Sequence, residues 1–589
     1  MKKPMLVSIL VLVLTGTAGA QIPDTPAGRQ LSAWLEAING TDQASLQRFM
    51  DKSLPGRPID AGLQIRAQSG GYDLKKVEQS TDARIVALLQ ERGPGKQFAR
   101  ISVDVAADAP DRIAGIGLAP ATPPPELAPP PLTSAEAQAA RSAPPFRQFS
   151  AWLEAFNSGN RNRMQQYLQA SYPSANIDMQ MNFRERSGGF ELRKLEQATP
   201  TTLVGLVQER GSDQFGRFTL VIEPTEPYKI VRLALTAIPR PAEFPVARLS
   251  EGELVTALRA KLESDAATDR FAGAALVARI GDGKDQVLFN AAYGLADREN
   301  KVANTVDTRF RIGSMNKMFT AVAILQLVQA GKIELDAPLG RYITDYPNRD
   351  VATRVTIHQL LTHTGGTGDI FGPDYDACRL ELRALEDYVK LYGARGPAFE
   401  PGSRWAYSNY GMLLLGVLIE RVSGQSYYDY VAKNIYGPAG MTRTGSEPES
   451  EAVADRAKGY TRARGATGWS PNTDTLPYRG TSAGGGYSTV GDLLKFARAL
   501  IGHKLLDAKH TDLLITGKVE TMPGGPMYAY GFEDARKDGG PVGHNGGAPG
   551  QNGELRIYPQ SGYVVAVLAN LDPPAASQEY SFIDARLPR

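Results

Sequence analysis

The sequence predicts a multidomain protein, with two tandem α+β units followed by one large α/β domain. The N-terminal part contains an internal repeat whose matching segments are offset by a constant number of residues. Proline-rich stretches separate and follow the two copies, which favours independent units. The remaining C-terminal stretch begins and ends with strand-like patterns, so we expect one sheet with helices between its first and last strands.

Length and composition exclude several classes of protein. The chain has 589 residues, which is too long for one ordinary domain. Hydrophobic residues make up 42% and charged residues 22%, as in globular proteins, and the net charge is only +2. Without a long basic block, we expect no nucleic-acid partner. Cys378 is the single cysteine, so an intramolecular disulfide is impossible.

The first twenty residues have the pattern of a secretory signal. Lys2 and Lys3 precede an apolar run, and small residues follow up to Ala20. The alternative is a membrane anchor, but the apolar run is short for a bilayer span. We therefore expect residues 1–20 to be a signal peptide cleaved near Ala20, and the protein to be exported, either periplasmic or secreted.

Residues 26–118 and 146–240 are the two copies of the repeat. RQLSAWLEAINGTD, from Arg29, matches RQFSAWLEAFNSGN, from Arg147. SGGYDLKKVEQST, from Ser69, likewise matches SGGFELRKLEQAT further along the chain. In each copy, apolar residues at helical spacing predict two helices joined by a turn, and glycine-bounded segments predict a four-stranded antiparallel meander.

This order of elements resembles the cone-shaped domains called nuclear-transport-factor-two-like, or SnoaL-like. Relatives of that shape include enzymes, ligand carriers and dimerisation modules. Neither copy contains a histidine or a paired acid–base arrangement. We therefore interpret the repeats as spacers or binding modules, with a cell-envelope ligand as a possible partner. Residues 119–145 between the copies are a proline-rich linker, expected to be extended.

The segment RIGSMNKMFT places Ser314 and Lys317 one helical turn apart. The residues that follow are apolar almost all round, which predicts a buried helix. Ser314 then lies at the helix N-terminus, and burial would lower the pKa of Lys317 enough for its amine to take the serine proton. The alternative is a capping serine followed by a lysine that reaches solvent.

Two further segments contain candidate site residues. Tyr407 and Asn409 are two residues apart on a loop before a helix, so an extended loop places both side chains on one side. His544, Gly546 and Gly547 lie in a glycine-rich turn before a strand. Each segment taken alone also fits a purely structural role.

Together the three segments resemble the motifs of the serine β-lactamase and penicillin-binding-protein family: S-x-x-K, Y-x-N and K/H-x-G. LLTHTGG and SAGGGYSTVGDLLKFARAL are similar to the class C β-lactamase, D-alanyl-D-alanine carboxypeptidase and family VIII esterase branch. The resemblance covers residues 250–589. It implies an α/β β-lactamase/transpeptidase-like domain, in which helices flank an antiparallel sheet beside an all-helical lobe.

The resemblance also implies catalytic roles. Ser314 would be the nucleophile that forms an acyl-enzyme. Lys317 and Tyr407 would share general-base and general-acid work, with Lys317 holding Tyr407 partly deprotonated. Asn409 would bind an amide or carbonyl of the substrate.

The late motif would complete the cleft. The backbone N–H groups of Ser314 and Gly547 would form the oxyanion hole, while His544 and Gly546 would lie along the substrate. No cofactor and no metal are implied. His358 and His363 are five residues apart without an intervening glutamate, so we interpret both as structural.

His544 stands where class C β-lactamases usually have lysine, and a histidine is mostly neutral at pH 7. We therefore expect an exported serine hydrolase that acts on small esters or on D-amino-acyl and peptidoglycan-type amides. A class C-like β-lactamase acting on a lactam is the alternative enzyme. The alternative of another class is a non-catalytic envelope ligand-binding protein with a degenerate hydrolase domain.

Overall fold

A computed structural model describes residues 21–589 except 94–95, 107–108, 122–123, 125, 128–129, 282–284, 463–467 and 522–524. The predicted signal segment lies outside the described residues. The chain divides into two compact units. The first comprises the chain up to Phe149 together with Leu195–Gly205 and Phe218–Thr236, and the second comprises Ser150–Lys194, Leu206–Arg217 and Ala237–Arg589.

The first copy of the repeat contains the predicted antiparallel meander, with strands paired in chain order. A third helix precedes it that the sequence pattern did not predict, because Leu63 and Ile65 are not at helical spacing. The elements are α1 (Pro26–Asn39), α2 (Gln43–Ser53), α3 (Asp60–Ser69), β1 (Tyr72–Ser80), β2 (Arg84–Glu91), β3 (Phe98–Val105) and β4 (Ile113–Pro120).

The linker is not extended throughout, because its alanine-rich end forms helix α4 (Ser134–Ala140), which begins with a capping box of Thr133 and Glu136. The second copy then repeats the order of the first, and its strands follow chain order in one sheet. A cone shape for the copies stays a prediction. The elements are α5 (Pro144–Asn157), α6 (Arg161–Ser171), α7 (Ile177–Ser187), β5 (Phe190–Ala198), β6 (Thr202–Glu209), β7 (Phe215–Ile222) and β8 (Ile230–Ile238).

The C-terminal part is built on an eight-stranded antiparallel sheet. Its strands are among β9 (Gly273–Arg279), β10 (Gln286–Tyr293), β11 (Leu295–Asp297), β12 (Val302–Ala303), β13 (Phe310–Arg311), β14 (Tyr460–Thr461), β15 (Ser470–Pro471), β16 (Tyr487–Ser488), β17 (Val519–Glu520), β18 (Met527–Tyr528), β19 (Glu533–Asp534), β20 (Val542–Ala548), β21 (Gln551–Ile557) and β22 (Tyr563–Ala569). The order is β10-β9-β22-β21-β20-β19-β18-β17. β9 pairs with β22, which confirms that the opening and closing strands share one sheet.

Helices surround this sheet and supply most of the apolar core. They are α8 (Glu251–Ala267), α9 (Asn316–Gln329), α10 (Arg349–Arg354), α11 (Ile357–Leu361), α12 (Pro373–Cys378), α13 (Leu385–Tyr392), α14 (Asn409–Ser423), α15 (Tyr427–Val431), α16 (Gly437–Ala439), α17 (Val490–Ile501), α18 (Ala508–Ile515) and α19 (Ala575–Arg586). α9 and α14 are buried on nearly every side. Among the described residues, no helix combines the length and apolarity needed to cross a bilayer.

One asparagine fixes the start of the sheet in each copy. The Asn39 side chain donates to the Tyr72 carbonyl at 2.9 Å and accepts from the Tyr72 N–H at 2.6 Å. Asn157 makes the same pair with Phe190, at 2.8 Å for both bonds. The duplicated NG and NS turns therefore retain an asparagine because its amide closes the first strand onto the first helix.

Replacing Asn157 by alanine should loosen the second copy locally. The substitution leaves the Phe190 N–H and C=O without their side-chain partners, at a cost of ~1–3 kcal/mol. Hydrogen exchange measured by mass spectrometry should then be about ten-fold faster in β5, with Asn39→Ala as the matched control that affects β1 instead. Equal protection of β5 in Asn157→Ala and the unsubstituted protein would contradict this role.

Candidate active site

Ser314 lies in a 3₁₀ turn, Gly313–Met315, that leads directly into α9. Ser314 is half-buried, while its neighbours on both sides are buried. Gly313 has a φ of +51°, and a Cβ there would lie 2.9 Å from the Gly547 nitrogen. The glycine before the serine is therefore required by a left-handed backbone and by close approach of β20.

The Lys317 amine is fully buried and contacts the Ser314 hydroxyl. Its Nζ lies 3.1 Å from the serine Oγ, and it donates to the Asn409 Oδ1 at 2.8 Å and to the Ala483 carbonyl at 2.6 Å. Burial lowers the pKa of Lys317 to about 7, and the negative charge of Asp369 opposes that shift. The serine thus has a proton acceptor in contact at neutral pH, as the sequence predicts.

The side chain of Asn409 contacts Lys317 and Asp369. Its carbonyl oxygen accepts from Lys317, and its amide donates to an Asp369 carboxylate oxygen at 3.2 Å. The other Asp369 oxygen accepts the Asn409 backbone N–H at 3.0 Å. One amide hydrogen of Asn409 remains for a substrate, so the expected substrate-binding role stays a prediction. Asn409 also holds Lys317 in place, which the sequence did not predict.

Tyr407 adjoins the pair, and its environment opposes the expectation that it is partly deprotonated. Burial raises the pKa of Tyr407 above its usual value, and its interaction with Ser314 offsets only part of that rise. The Lys317 Nζ lies over the phenol ring, 4.6 Å from its centroid. The amine therefore lies against the phenol ring, and the raised pKa favours the protonated phenol.

The glycine motif brings a second backbone N–H toward the serine. Gly547 is exposed on β20, and a Cβ on Gly546 would collide with the Ile312 carbonyl at 1.9 Å. Asn552 on β21 donates to the Gly546 carbonyl at 2.9 Å. Only a glycine allows β20 to lie this close to the serine turn. The backbone N–H groups of Ser314 and Gly547 are therefore near one another and are the candidates for an oxyanion hole.

His544 does not line the cleft as expected, because it is only 2% exposed and both ring nitrogens are engaged. Its Nε2 lies 3.1 Å from the Tyr528 hydroxyl and its Nδ1 lies 2.5 Å from the Asn545 carbonyl. Burial lowers the pKa of His544 to about 4. His544 is therefore neutral at pH 7, with no ring nitrogen left for proton transfer to a substrate.

A buried chain of hydrogen bonds extends from His544 to the loop of Tyr407. The Tyr528 hydroxyl also lies 3.0 Å from the Nε2 of His363, whose Nδ1 accepts the Ser408 N–H at 3.3 Å. A carbonyl can only accept, so His544 carries its proton on Nδ1 and Tyr528 donates to its Nε2. His363 then donates from Nε2 to Tyr528.

His363 is thus structural, as predicted, but it supports the site. Its ring lies 4.5 Å from that of Tyr407. His358 lies elsewhere, with its Nδ1 2.7 Å from the Tyr530 hydroxyl. Within the described part of the chain, no cluster of histidine, cysteine or carboxylate side chains could hold a metal ion.

Comparison with known proteins agrees with this geometry. The sequence model described as Beta-lactamase matches residues 258–587. The chain belongs to the β-lactamase family. It is 30% identical over 321 residues to penicillin-binding protein 4 of Amycolatopsis lactamdurans, covering 51% of this chain and 80% of that protein.

Two other relatives extend the comparison. Esterase EstB of Burkholderia gladioli is 35% identical over 222 residues, which is 35% of this chain and 55% of that protein. The crystal structure of a penicillin-binding protein from Bacillus halodurans has 32% identity and a TM-score of 0.50, covering 57% of this chain and 99% of that one. The domain has the β-lactamase/transpeptidase-like fold, and this member of the β-lactamase family is a serine hydrolase.

Several residues of this β-lactamase-family site were not predicted. Asp369 and Tyr528 carry no motif, and the sequence could not show that Asp369 would face Asn409 across 40 residues. The segment SAGGG was available as a signal, since Lys317 donates to the Ala483 carbonyl within it. Its glycines also let the chain pass the serine turn, because a Cβ on Gly484 would lie 3.3 Å from the Ser314 nitrogen.

Activity should rise with pH through the pKa of Lys317, because only the neutral amine accepts the serine proton. We expect the acid limb of kcat/KM to have its midpoint near the Lys317 value of about 7. Asp369 favours the charged amine, so Asp369→Asn should move this midpoint to lower pH. The measurement is kcat/KM for a p-nitrophenyl ester from pH 5.5 to 9. A midpoint that stays or moves upward in Asp369→Asn would contradict the assignment.

Tyr528→Phe should reduce turnover without removing any group of the Ser314–Lys317 pair. The change leaves a buried imidazole nitrogen of His544 without its donor, and we expect kcat/KM to fall about ten-fold. Loss of that donor should also raise the pKa of His544, since the bond favours the neutral ring. Histidine-selective ¹⁵N spectra can follow this, because the sequence has five histidines.

Tyr530→Phe is the matched control, since Tyr530 contacts His358 in the same way outside the chain of bonds. It should leave the His544 ring signals and the pH profile as they are in the unsubstituted protein. Identical His544 signals in Tyr528→Phe would show that the bond between these two side chains does not set the tautomer.

Proposed function

We propose that the protein hydrolyses small esters or D-amino-acyl amides through an acyl-enzyme on Ser314. The observation that carries this proposal is the 3.1 Å contact between the Ser314 hydroxyl and a buried amine whose pKa is lowered to about 7. Serine is a weak nucleophile until a base in contact removes its proton. The same contact argues against the alternative of a degenerate, non-catalytic ligand-binding domain.

In the acylation step, the neutral Lys317 amine takes the Ser314 proton while Oγ attacks the substrate carbonyl. The carbonyl oxygen becomes an oxyanion, which the N–H groups of Ser314 and Gly547 stabilise. Tyr407 retains its proton and is placed to donate it to the leaving alcohol or amine. Lys317 then holds the serine proton as an ammonium beside Tyr407 and returns it to the phenolate oxygen, which restores the neutral amine and the protonated phenol.

Deacylation uses Lys317 again, first as the base and then as the acid. A water that replaces the leaving group gives its proton to the neutral Lys317 amine and attacks the acyl carbonyl. The oxyanion forms in the same place, and the Ser314 Oγ leaves with a proton from Lys317. No other residue is required for the balance of protons, because each proton that Lys317 accepts is returned within the cycle.

Neutral substrates are favoured by the environment of His544. A buried neutral imidazole supplies no fixed positive charge for a substrate carboxylate. An ester or D-amino-acyl amide does not need that charge. The relative named Esterase EstB supports an ester substrate, and the penicillin-binding-protein relatives support an amide or lactam.

A class C-like β-lactamase is the second candidate function, because the chain belongs to the β-lactamase family. The penicillin-binding-protein relatives and the signal-like N-terminus together favour an exported enzyme with envelope-derived substrates.

A substrate panel tests the proposal with Ser314→Ala as the reference. We expect hydrolysis of p-nitrophenyl esters or D-amino-acid amides with a higher kcat/KM than for a chromogenic cephalosporin. Ser314→Ala should lower kcat by more than about 1,000-fold, since it removes the nucleophile. Intact-protein mass spectrometry should detect an acyl adduct that is absent from Ser314→Ala.

The rivals give different results. Retention of more than about a tenth of kcat in Ser314→Ala, a loss of under ~1.4 kcal/mol, would contradict the nucleophile assignment. A cephalosporin that exceeds every ester and amide in kcat/KM would favour the class C-like alternative. Binding of substrates without any turnover or adduct would favour the ligand-binding protein.

A further inference from the structure

A cavity of about 840 Å³ lies within the second unit, between helix α7 of the second repeat and the start of α19. Its walls include Met179 and Phe183 from α7, Trp469, and Pro573 and Gln578 beside α19. This volume is typical of sites that bind small molecules. Met179 is 71% exposed, so its apolar side chain is accessible to a ligand in this space.

The cavity-facing side chains of α7 form a stripe. Met179, Phe183 and Arg186 are spaced at i, i+4 and i+7, so they share one face of the helix, and all three line the cavity. This face of the helix therefore presents two large apolar side chains and one cation to the cavity. The α7 residues beside it that also line the cavity are polar or acidic: Asp178, Gln180, Asn182 and Glu185.

A comparison of α3 with α7 shows which residues hold this helix in its copy and which differ between the copies. Arg66 in α3 and Arg184 in α7 occupy the same position, and each donates to a carbonyl at the end of the first helix of its copy. Ser69 and Ser187 likewise bond to the carbonyl four residues earlier. The residues that hold this helix in its copy are thus the same in both copies.

The stripe itself is different in the two copies. Ala61 and Ile65 of α3 correspond to Met179 and Phe183 of α7. The first copy keeps the same order of elements with the smaller pair. Phe183 also packs against Phe156 and Phe190 of its own copy, at 5.8 and 5.3 Å between ring centroids. Met179 is exposed and faces the cavity, so it is the residue of the pair whose size the cavity explains.

One wall of the cavity contacts the catalytic strand. A Cβ on Gly547 would lie 2.9 Å from the Pro573 side chain, and Pro573 is one of the cavity walls. The neighbouring Asp572 carboxylate accepts the Gly550 N–H at 2.7 Å, in the turn that follows β20. The wall of the cavity is therefore continuous with the strand that carries the proposed oxyanion donor.

We propose that this cavity binds the non-reacting tail of the substrate, and that the tail is an uncharged, amide-bearing chain with apolar groups. This inference rests on the proposed function of Ser314. It gives the second repeat a role in substrate recognition, because α7 supplies one wall.

Charged side chains around the cavity have partners of opposite charge in or beside it, which favours an uncharged tail. Burial raises the pKa of the Glu209 carboxyl and the nearby Arg186 guanidinium opposes that rise, while Arg270 pairs with Asp265. Arg462 pairs with Glu185, and its guanidinium stacks over Trp469 at 4.3 Å. Asp269 pairs with Arg298, at 2.7 and 3.0 Å.

The remaining polar groups of the walls include the side-chain amides of Gln578 and Asn182, which can donate to and accept from peptide groups. The apolar stripe would contact aliphatic parts of the tail. Tail binding of this kind raises kcat/KM when part of its free energy is realised in the transition state.

The test compares p-nitrophenyl acetate with esters that carry an N-acetyl-glycyl-glycyl-D-alanyl tail, on the acyl side in one ester and on the alcohol side in another. We expect at least one tailed ester to have a kcat/KM about ten-fold or more above that of its short counterpart. An N-succinyl cap in place of N-acetyl places a carboxylate on the tail and should reduce this gain.

Substitutions that exchange residues between the two copies report on the cavity itself. Met179→Ala/Phe183→Ile introduces the residues of the first copy and should bring the tailed-to-short ratio of kcat/KM down by about ten-fold. The reciprocal change, Ala61→Met/Ile65→Phe, is the matched control and should keep the ratio of the unsubstituted protein. Gln578→Trp obstructs the cavity from the opposite wall, with Ser581→Trp, on the same helix outside the cavity, as its control.

The outcomes distinguish the two levels of inference. If p-nitrophenyl acetate is not hydrolysed in a Ser314-dependent way, the proposed function fails. If it is hydrolysed but neither tail gives a gain, or the gain survives both Met179→Ala/Phe183→Ile and Gln578→Trp, the cavity assignment is wrong. A larger gain for the succinylated tail would overturn the uncharged character of the ligand.

Discussion

The buried amine of Lys317 is the interaction on which the rest of the site depends. A lysine removed from water is stable only if its charge is reduced or compensated, and here both occur. Burial favours the neutral amine, while the Asn409 and Ala483 oxygens and the nearby Asp369 tolerate the charged one. The amine can therefore change protonation state at little cost, as a base in a catalytic cycle must.

Three parts of the chain that are distant in sequence meet at that amine. α9 supplies the lysine and the serine, the start of α14 supplies Asn409, and the SAGGG segment supplies a carbonyl. Glycines let these parts meet, because the backbone of β20 passes the serine turn with no room for a Cβ. The eight-stranded sheet then fixes β20 from both sides.

The sequence alone predicts those features of the site and fold that depend on residues close together in the chain. The spacing of Ser314 and Lys317 and the apolar helix after them predict both the contact and the lowered pKa of the lysine. The offset of the repeat predicts the duplicated meander. In contrast, the raised pKa of Tyr407 comes from burial of its side chain, and no short motif records how deeply a side chain is buried.

The errors have different physical origins. His544 was expected in the cleft because of its place in the glycine motif, but Tyr528, 16 residues away, holds its ring in the interior. α3 and α7 were missed because apolar residues recur there at every second position, as Leu63 and Ile65 do, which is the spacing of a strand. The spacing of a short motif contains no information about the partner that a buried side chain finds.

The hydrogen-bonded chain through Tyr528 has one more consequence, which follows from its two ends. At one end the Ser408 N–H can only give a hydrogen bond, and at the other the Asn545 carbonyl can only receive one. The polarity of the whole chain is therefore fixed by the backbone, and it cannot invert as a chain of waters or hydroxyls can. A proton arriving at either end finds no vacant acceptor and no route through. The hydrogen-bonded chain therefore does not carry protons, although it lies directly behind the site where protons are exchanged.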